Sequence, residues 1–460
     1  MQFSRVLPAV SGLLLFGLLT ALLYPGMLNM DSAGMLAQAV RGEFNDWHSP
    51  AVSLLWRGLI RLYPGPAPLL ALGLALFVGG CCWFARNLTA NPLARLPAVL
   101  LLCLWPPILN DLSLVGKDQA FIACLMPAIA LILLVKESGR LTGPRLALLS
   151  LLLFALCAIR QDSAVCLIPT LALLYRLPLG KRREGLRWSA AGGLAVLSVV
   201  AGLSLSISFN RLVARAAVTF PIQTTLVHDL AGISARTDGY LMPAYVDPRL
   251  DLPMLKGRYT PVSGDPLLFD MSNPIVKLVF HKAEADDLKR TWFWAVLRHP
   301  LDYLRHRLAT FLCLLGIEAP QPYQLYQPDT DLFGAHWHKL TDDMHIGNPD
   351  NAVLDFYRHR LMPTLLETPM FRGYAYDIAL LAMILLALLR RRGARDAVIV
   401  ALGSGALLHQ AALFVASPAA LFRYLYPSVL ITLAILLLTL SDSHRSPASE
   451  KSLGAPSASG

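Results

Sequence analysis

The chain of 460 residues is 55% hydrophobic and only 15% charged, whereas a typical soluble domain is about 25% charged. Apolar runs long enough to enter a bilayer recur from end to end, and this excludes an ordinary soluble protein. The net charge is +10, which in a membrane protein reflects cytoplasmic arginines and lysines rather than a nucleic-acid surface. We therefore expect an all-α polytopic membrane protein that contacts membrane lipid and no nucleic acid.

Ten apolar segments are predicted to cross the membrane. They divide into an N-terminal module, residues 1–209, and a C-terminal module, residues 372–440. Between them lies a mixed, mainly helical segment, residues 210–371, whose apolar part 292–319 carries too many charges for a span and is expected to form helices on the membrane or on the outer domain. The first segment lacks a small-x-small cleavage site, so we expect it to be retained as a span. The small, polar tail, residues 441–460, is expected to be disordered. The predicted spans are 7–24, 67–84, 96–110, 119–135, 146–159, 164–176, 188–208, 373–389, 396–415 and 425–440.

Arginine and lysine residues orient the predicted spans, because loops rich in them stay in the cytoplasm. These loops fall on one side when ten spans alternate from a cytoplasmic N-terminus. Both termini are then cytoplasmic, whereas the first outer loop, residues 25–66, and the segment 210–371 are extracytoplasmic. The cytoplasmic cations are Arg86, Arg95, Lys136, Arg140, Arg145, Arg176, Lys181, Arg182, Arg183, Arg187, Arg390, Arg391, Arg392, Arg395, Arg445 and Lys451.

Three short outer loops break this charge rule. Each carries one cation: Lys117 in GKDQAF, Arg160 in IRQDS and Arg423 in FRYLYPS. Snorkelling or contact with lipid head groups would explain any one of them alone. Three together favour convergence on a shared anion, because a phosphate at the outer interface needs several fixed cations.

The first outer loop is too long for a simple connection and too apolar for a solvated one. We expect an interfacial helix capped by Asp31 or Ser32 and ended by Gly42. A turn of the form D-W-H-x-P, residues 46–50, then leads to a second amphipathic helix over AVSLLWRGLIRLY. The predicted interface anchors of this second helix are Trp56 and Tyr63.

This loop, MDSAGMLAQAVRGEFNDWHSP, resembles that of the GT-C superfamily of membrane glycosyltransferases. The superfamily includes the protein mannosyltransferases and the enzymes that move aminoarabinose onto lipid A. In these proteins an acidic residue follows the first span, and a helical loop leads to a Pro-containing turn. The GKDQAF, IRQDS and FRYLYPS loops are similar to those of uncharacterised bacterial members. The common Asp-Glu pair is Asp31-Ser32 here, so both Asp31 and Asp46 stay open as the catalytic base.

The resemblance implies an inverting glycosyltransferase in the bacterial cytoplasmic (inner) membrane. Its donor would be a sugar on a polyprenyl phosphate, and its acceptor a hydroxyl of an extracytoplasmic glycan, lipid or protein. A lipid-borne donor agrees with an outer site, where nucleotide sugars are absent. Asp31 or Asp46 would take the acceptor proton, and Lys117, Arg160 and Arg423 would stabilise the leaving lipid phosphate.

Six further side chains are predicted to orient the substrates. Turn formation or interface anchoring would also explain those in the first outer loop, and a structural role would explain those after the seventh span. The predicted orienting residues are Trp47, His48, Asp118, His228, Asp229 and Tyr424.

No metal ligands are assigned, although a divalent metal stays open as a cofactor. Asp31 is not part of a D-x-D motif, and the histidine- and aspartate-rich stretch 336–345 fits no zinc signature. Two other functions are open as well. The first is a flippase or transporter, for which His409 and Gln410 in mid-span are the main support. The second is a polymerase or ligase of surface polysaccharide that uses a diphosphate-linked glycan.

Overall fold

The helices of the computed structural model follow the apolar segments of the sequence. The structure describes residues 3–178, 184–243, 245, 250–269, 278–279, 281–318, 352, 356–390 and 393–443. In these ranges the chain forms helices and three isolated β-bridges but no strand. The α-helices are α1 (Phe3–Leu23), α2 (Met30–Arg41), α3 (Pro50–Leu59), α4 (Ala67–Leu88), α5 (Pro92–Leu104), α6 (Pro106–Ser113), α7 (Lys117–Ser138), α8 (Gly143–Ile159), α9 (Ile168–Tyr175), α10 (Glu184–Leu212), α11 (Gln223–Thr237), α12 (Leu252–Arg258), α13 (Asp265–Leu268), α14 (Lys282–Arg298), α15 (Pro300–Leu314), α16 (Met362–Leu366), α17 (Gly373–Arg390), α18 (Ala394–Ala416) and α19 (Tyr426–Ser443).

Six of the described helices are long and apolar enough to cross a membrane: α4, α7, α10, α17, α18, and α19 with the turn before it. A seventh crossing results if α5 and α6, bent by 60° at their junction, form one broken span. Shorter apolar helices, Val10–Leu23, α8 and Ala164–Tyr175, occupy the other three predicted positions. The chain is therefore a helical membrane-embedded protein, and length and composition do not confirm the prediction of ten crossings.

Arg395 gathers four helix ends on one side of the bundle. The guanidinium is buried at the start of α18 and pairs with Glu137 of α7, with 2.7 Å between Nε and Oε1. It also donates to the main-chain oxygen of Leu88 at the end of α4 (2.9 Å) and to Oγ of Ser441 in α19 (2.8 Å). These are the ends that the charge pattern assigns to the cytoplasm, and the outer loops leave from the opposite ends of the same helices.

Close contact between α4 and α7 forms the centre of the N-terminal module. A Cβ added at Gly80 would lie 2.8 Å from the Pro127 ring, and one at Gly73 would lie 2.9 Å from the Gln119 amide. Small residues let helices approach closely where lipid provides little hydrophobic drive for association. This packing fixes α7, whose first two residues are Lys117 and Asp118.

The first outer loop forms two helices, as predicted, but the cap of the first is a different residue. Asn29 precedes α2, and its side chain accepts a hydrogen bond from the main-chain nitrogen of Ser32 at 2.8 Å. The predicted cap at Asp31 or Ser32 is therefore wrong, because both residues lie inside the first turn. Gly42 ends α2 in the left-handed region with φ 76°, as predicted.

Trp56 is not an interface anchor, contrary to the prediction. Its side chain is fully buried, and its indole nitrogen donates to the main-chain oxygen of Gly65 at 3.1 Å. Tyr63 is exposed, and its hydroxyl lies 2.8 Å from that of Tyr24. An indole nitrogen satisfied inside the protein allows full burial, so Trp56 packs within the loop, whereas Leu55 of the same helix α3 is exposed.

The apolar stretch 292–319 forms no candidate span in its described part. It is divided between α14 and α15 at His299, and the inner faces of both helices pack against α11. Their other face leaves large apolar side chains exposed, which is typical of helices at a membrane interface. These exposed side chains are Phe293, Trp294, Leu297, Leu301, Leu304 and Leu308.

Replacement of Arg395 by alanine should destabilise the bundle by about 3 kcal/mol, because it leaves Glu137 and two helix ends without their partner. The measurement is thermal unfolding in detergent. Arg86→Ala removes an exposed cation from the same side and should leave the midpoint unchanged. Equal midpoints for the two variants would show that Arg395 does not hold the helix ends together.

Candidate functional site

Asp31 lies between two cations that come from distant parts of the chain. Its Oδ2 is 3.1 Å from Nζ of Lys117 and 3.0 Å from Nη1 of Arg423. Lys117 begins α7, and Arg423 lies in the single turn Phe422–Leu425 that precedes α19. One carboxylate thus joins the loop between α1 and α4 to the start of α7 and to the turn before α19.

The alternation of charges continues behind Asp31. Asp118 places Oδ1 at 2.7 Å from Nη1 of Arg160 and Oδ2 at 3.5 Å from Nη1 of Arg423. The other terminal nitrogen of Arg160 lies 2.7 Å from Oδ2 of Asp162. The structure therefore brings together all three predicted phosphate-binding cations. We call the ionic cluster the six side chains Asp31, Lys117, Asp118, Arg160, Asp162 and Arg423.

Tyr424 lies against the two arginines of the ionic cluster. The guanidinium carbons of Arg160 and Arg423 are each 5.4 Å from the centroid of its ring. At that separation the ring face attracts both cations. Tyr424 therefore holds the arginines in place, and a role in orienting substrate stays a prediction.

Main-chain contacts hold the GKDQAF loop beneath α2. The nitrogen of Met27 donates to the oxygen of Ser113 at 2.8 Å, and the nitrogen of Val115 donates back to the oxygen of Met27 at 2.9 Å. A Cβ added at Gly116 would lie 2.7 Å from Oγ of Ser32. Glycine at this position therefore allows the start of α7 to approach α2 closely enough for Lys117 to reach Asp31.

The ionic cluster is accessible at Asp31 and at Asp162, which keeps 45% of its side-chain surface, and it is buried between them. Asp31 and Lys117 keep 24% and 21% of their side-chain surface, whereas Arg160 keeps 5%. Three cations face three carboxylates, so every predicted phosphate-binding cation already has an acidic partner. An incoming anion must therefore exchange with a carboxylate rather than enter a vacant basic site.

The two cations keep Asp31 ionised. Burial by itself would raise the pKa of the Asp31 carboxyl, but Arg423 and Lys117 outweigh it and hold that pKa well below its usual range. His48 lies beside α2, where a Cβ at Gly34 would be 3.3 Å from its Nε2. Desolvation lowers the pKa of His48 to about 4, against the opposing effect of Asp31. At neutral pH, Asp31 is an anion and His48 is neutral.

Asp46, the other candidate base, holds the turn of the first outer loop in place. Its Oδ1 accepts hydrogen bonds at 2.6 Å from both the main-chain nitrogen and the hydroxyl of Thr219. Its own nitrogen donates to the oxygen of Ala217 at 3.0 Å. None of its described ion pairs or hydrogen bonds reaches the ionic cluster. Of the two candidates, Asp31 is therefore the one in contact with the cations.

Asp229 belongs to a buried network in the segment 210–371, which we call the outer segment. Its two oxygens lie 3.1 Å from Nε2 of His306 and 2.7 Å from Nη2 of Arg307, and the second also accepts from the Trp292 indole at 2.7 Å. Arg307 in turn donates to the main-chain oxygen of Ser417 at 2.7 Å. This network ties α11 and α15 to the loop that leads to Arg423.

His228 is also fully buried and contacts other residues of the outer segment. Its Nε2 lies 2.9 Å from the main-chain oxygen of Thr260, and a Cβ at Gly264 would be 3.3 Å from its side chain. Desolvation lowers the pKa of His228 to about 3, helped by the nearby His306. These contacts are structural, and the described partners of His228 lie outside the ionic cluster.

Three carboxylates of this region were not singled out from the sequence. Asp162 pairs with Arg160, as described above. Asp111 lies fully buried on α6 near Asp118, and neither of its oxygens has a hydrogen-bond partner in the described ranges. An aspartate within the apolar run PPILNDLS was a signal for it, because ionisable residues in such runs are usually functional. Asp265 carried no comparable sequence signal.

Comparisons with protein-family models, curated proteins and solved structures find no match for this chain. Within the ranges that the structure describes, no group of three or more His, Cys, Asp or Glu side chains could hold a metal ion. The stretch 336–345, considered above for metal binding, lies outside the described residues. The geometry of the ionic cluster is therefore the basis for a functional assignment.

Asp31→Asn should destabilise the protein in a pH-dependent way. A carboxyl whose folded pKa is depressed contributes stability above its unfolded pKa of about 4, and this is lost as the pH falls through the folded value. The gap in thermal midpoint between wild type and Asp31→Asn should be full at pH 7 and close below about pH 4. Asp286→Asn, in an exposed pair on α14, should show little gap. A gap for Asp31→Asn that does not change with pH would contradict the electrostatic account.

Proposed function

We propose that the protein is a membrane glycosyltransferase that moves a sugar from a polyprenyl-phosphate donor to a hydroxyl of an extracytoplasmic glycan, lipid or protein. The observation that carries the proposal is the pairing of Asp31 with both Lys117 and Arg423. A reaction that expels a lipid phosphate as a hydroxyl attacks needs a carboxylate beside fixed cations. The ionic cluster supplies both within one group of contacts.

Lys117 and Arg423 are assigned to the donor phosphate. Both remain partly accessible, and a guanidinium beside an ammonium suits the oxygens of a phosphate. Arg160 has a different role in this proposal. Both of its terminal nitrogens are engaged by Asp118 and Asp162, and its side chain is almost buried. It positions Asp118, and through Asp118 it positions Arg423.

Donor binding and base strength are coupled in this scheme. Without donor, Lys117 and Arg423 make Asp31 a weak base. A phosphate that takes over these cations offsets their charge, so the pKa of Asp31 rises towards its ordinary value. The acceptor hydroxyl then passes its proton to Asp31 as its oxygen bonds to the anomeric carbon. The bond from that carbon to the phosphate oxygen breaks, its electrons stay on the phosphate, and this single displacement inverts the centre.

The proposal includes a ten-crossing, GT-C-like arrangement in a bacterial cytoplasmic membrane, with both termini in the cytoplasm. Two observations support it. Four helix ends that the charge pattern assigns to the cytoplasm meet around Arg395, and the ionic cluster lies at the opposite ends of α7 and α19. The shorter apolar helices would cross with help from their polar flanks, which local thinning of the bilayer permits.

A flippase or transporter of lipid-linked sugars is the second candidate, because polar contacts lie inside the helix bundle. His409, fully buried in α18, contacts the hydroxyls of Ser163 and Ser428 at 3.2 Å each. Gln410 donates to Asp377 at 2.5 Å. Buried ionisable groups between membrane helices are typical of transporters. A polysaccharide polymerase or ligase is a third candidate and differs in using a diphosphate-linked donor.

Two variants test the assigned roles in opposite ways. Arg423→Ala should lower transfer about 10²–10³-fold through loss of charge stabilisation, and it should weaken binding of undecaprenyl phosphate. Asp31→Asn should lower transfer about 10²–10⁴-fold but strengthen that binding, because it removes the competing carboxylate. The measurements are release of lipid phosphate from labelled undecaprenyl-phosphate sugars and affinity for undecaprenyl phosphate in nanodiscs.

Arg86→Ala is the matched control and should retain both activities. Normal transfer by Asp31→Asn would remove Asp31 from the mechanism, and unchanged lipid binding by Arg423→Ala would remove the phosphate site. Movement of the lipid-linked sugar across proteoliposomes without transfer would instead favour the flippase.

The proposed topology can be tested with single cysteines. Glu43→Cys in the first outer loop should react with a membrane-impermeant maleimide in intact cells, and Thr142→Cys between α7 and α8 should react only after lysis. Both positions are exposed, and the native cysteines are buried or half-buried. Labelling of Thr142→Cys in intact cells would contradict the proposed orientation.

A further inference from the structure

Two loops that are distant in sequence pair beside Arg423. The main-chain nitrogen of Ala420 donates to the oxygen of Val262 at 2.6 Å, and the nitrogen of Gly264 donates to the oxygen of Pro418 at 3.4 Å. This antiparallel contact brings the start of α13 to the loop from which Arg423 extends. Asp265, the first residue of α13, is therefore held next to the ionic cluster by main-chain bonds.

The other end of α13 contacts the first outer loop. Phe269, which follows the helix, meets the ring of Trp47 edge to face, with 6.0 Å between centroids. Trp47 is partly exposed and precedes His48, the residue that lies along α2 near Asp31. The short helix α13 thus connects the two loops that contribute Asp31 and Arg423.

Asp265 differs from the acids of the ionic cluster because it forms no ion pair in the described part of the chain. Asp265 is exposed, but nearby protein atoms partly desolvate its carboxyl group, and this desolvation raises the pKa of that group. Arg423 and Asp31 both act on it electrostatically. Its carboxylate accepts a hydrogen bond from the Ser263 side chain, and because the residue is exposed, the remaining lone pairs of its two oxygens can accept hydrogen bonds from a ligand.

Hydroxyl groups and sugar rings are the ligands that suit this pair of side chains. A carboxylate accepts hydrogen bonds from hydroxyls, and such charged bonds are among the stronger ones in proteins. An indole offers a rigid apolar surface with low entropy cost for ordering. We infer that Asp265 and Trp47 form the acceptor subsite, and that the acceptor is a sugar carrying a second hydroxyl next to the one that attacks.

This inference rests on the proposed function and narrows its acceptor from a glycan, lipid or protein to a glycan. The attacking hydroxyl faces Asp31, and the neighbouring hydroxyl donates to Asp265. A serine or threonine side chain has one hydroxyl only, so it would bind this subsite weakly.

The test measures transfer from undecaprenyl-phosphate sugars to octyl glycosides and to serine- and threonine-containing peptides. Wild type should prefer the octyl glycosides. Asp265→Ala should raise the KM for octyl glycoside about 10–100-fold and leave the affinity for undecaprenyl phosphate unchanged, which also shows that the variant is folded. Asp265→Asn should have a smaller effect, and Trp47→Ala should raise the same KM. Asp286→Ala, an exposed acid in the same outer segment, is the control.

An unchanged KM for octyl glycoside in Asp265→Ala would overturn the acceptor subsite, and so would a preference of the wild-type protein for peptides. Either result would leave the glycosyltransferase proposal intact. Absence of transfer by wild type to every acceptor overturns the proposed function and this inference with it.

Discussion

The candidate site depends on the carboxylate of Asp31 lying between Lys117 and Arg423. Each of the three side chains comes from a different connection between helices, and the ion pairs hold these connections together. Removing such charges from water costs several kcal/mol per ion, so the pairs form only where packing already holds them in register. That packing comes from the α4–α7 contact, from Gly116 beneath α2, and from the main-chain bonds of the GKDQAF loop.

Charge balance determines what the cluster can do. Since each predicted phosphate-binding cation already faces a carboxylate, an anion binds by exchange and not by filling a vacancy. The consequence in the proposed mechanism is that the donor itself strengthens the base. The outer segment contributes to the same geometry, because Arg307 bonds to Ser417 and the loop after it pairs with the start of α13. The buried residues His228, His306 and Asp229 therefore contribute to the site by holding the loop that carries Arg423 in position.

The helices and the three converging cations could be read from sequence, and their partners could not. Apolar runs indicate helices because the bilayer leaves the backbone little alternative. Lys117, Arg160 and Arg423 could be singled out because each lies in a loop where the positive-inside rule predicts few cations. Pairing with Asp118 and Asp162 depends on tertiary packing, which no local pattern encodes. Asn29 and Asp31 have similar capping preferences, so only the structure separates them. Trp56 is buried because Gly65 satisfies its nitrogen, a contact that composition does not reveal.

The most direct test of the account is an experimental structure of the protein in nanodiscs with bound undecaprenyl phosphate. We predict that the phosphate lies between Lys117 and Arg423 and that Asp31 has lost at least one of its two ion pairs. A phosphate bound elsewhere, with both pairs of Asp31 intact, would contradict it.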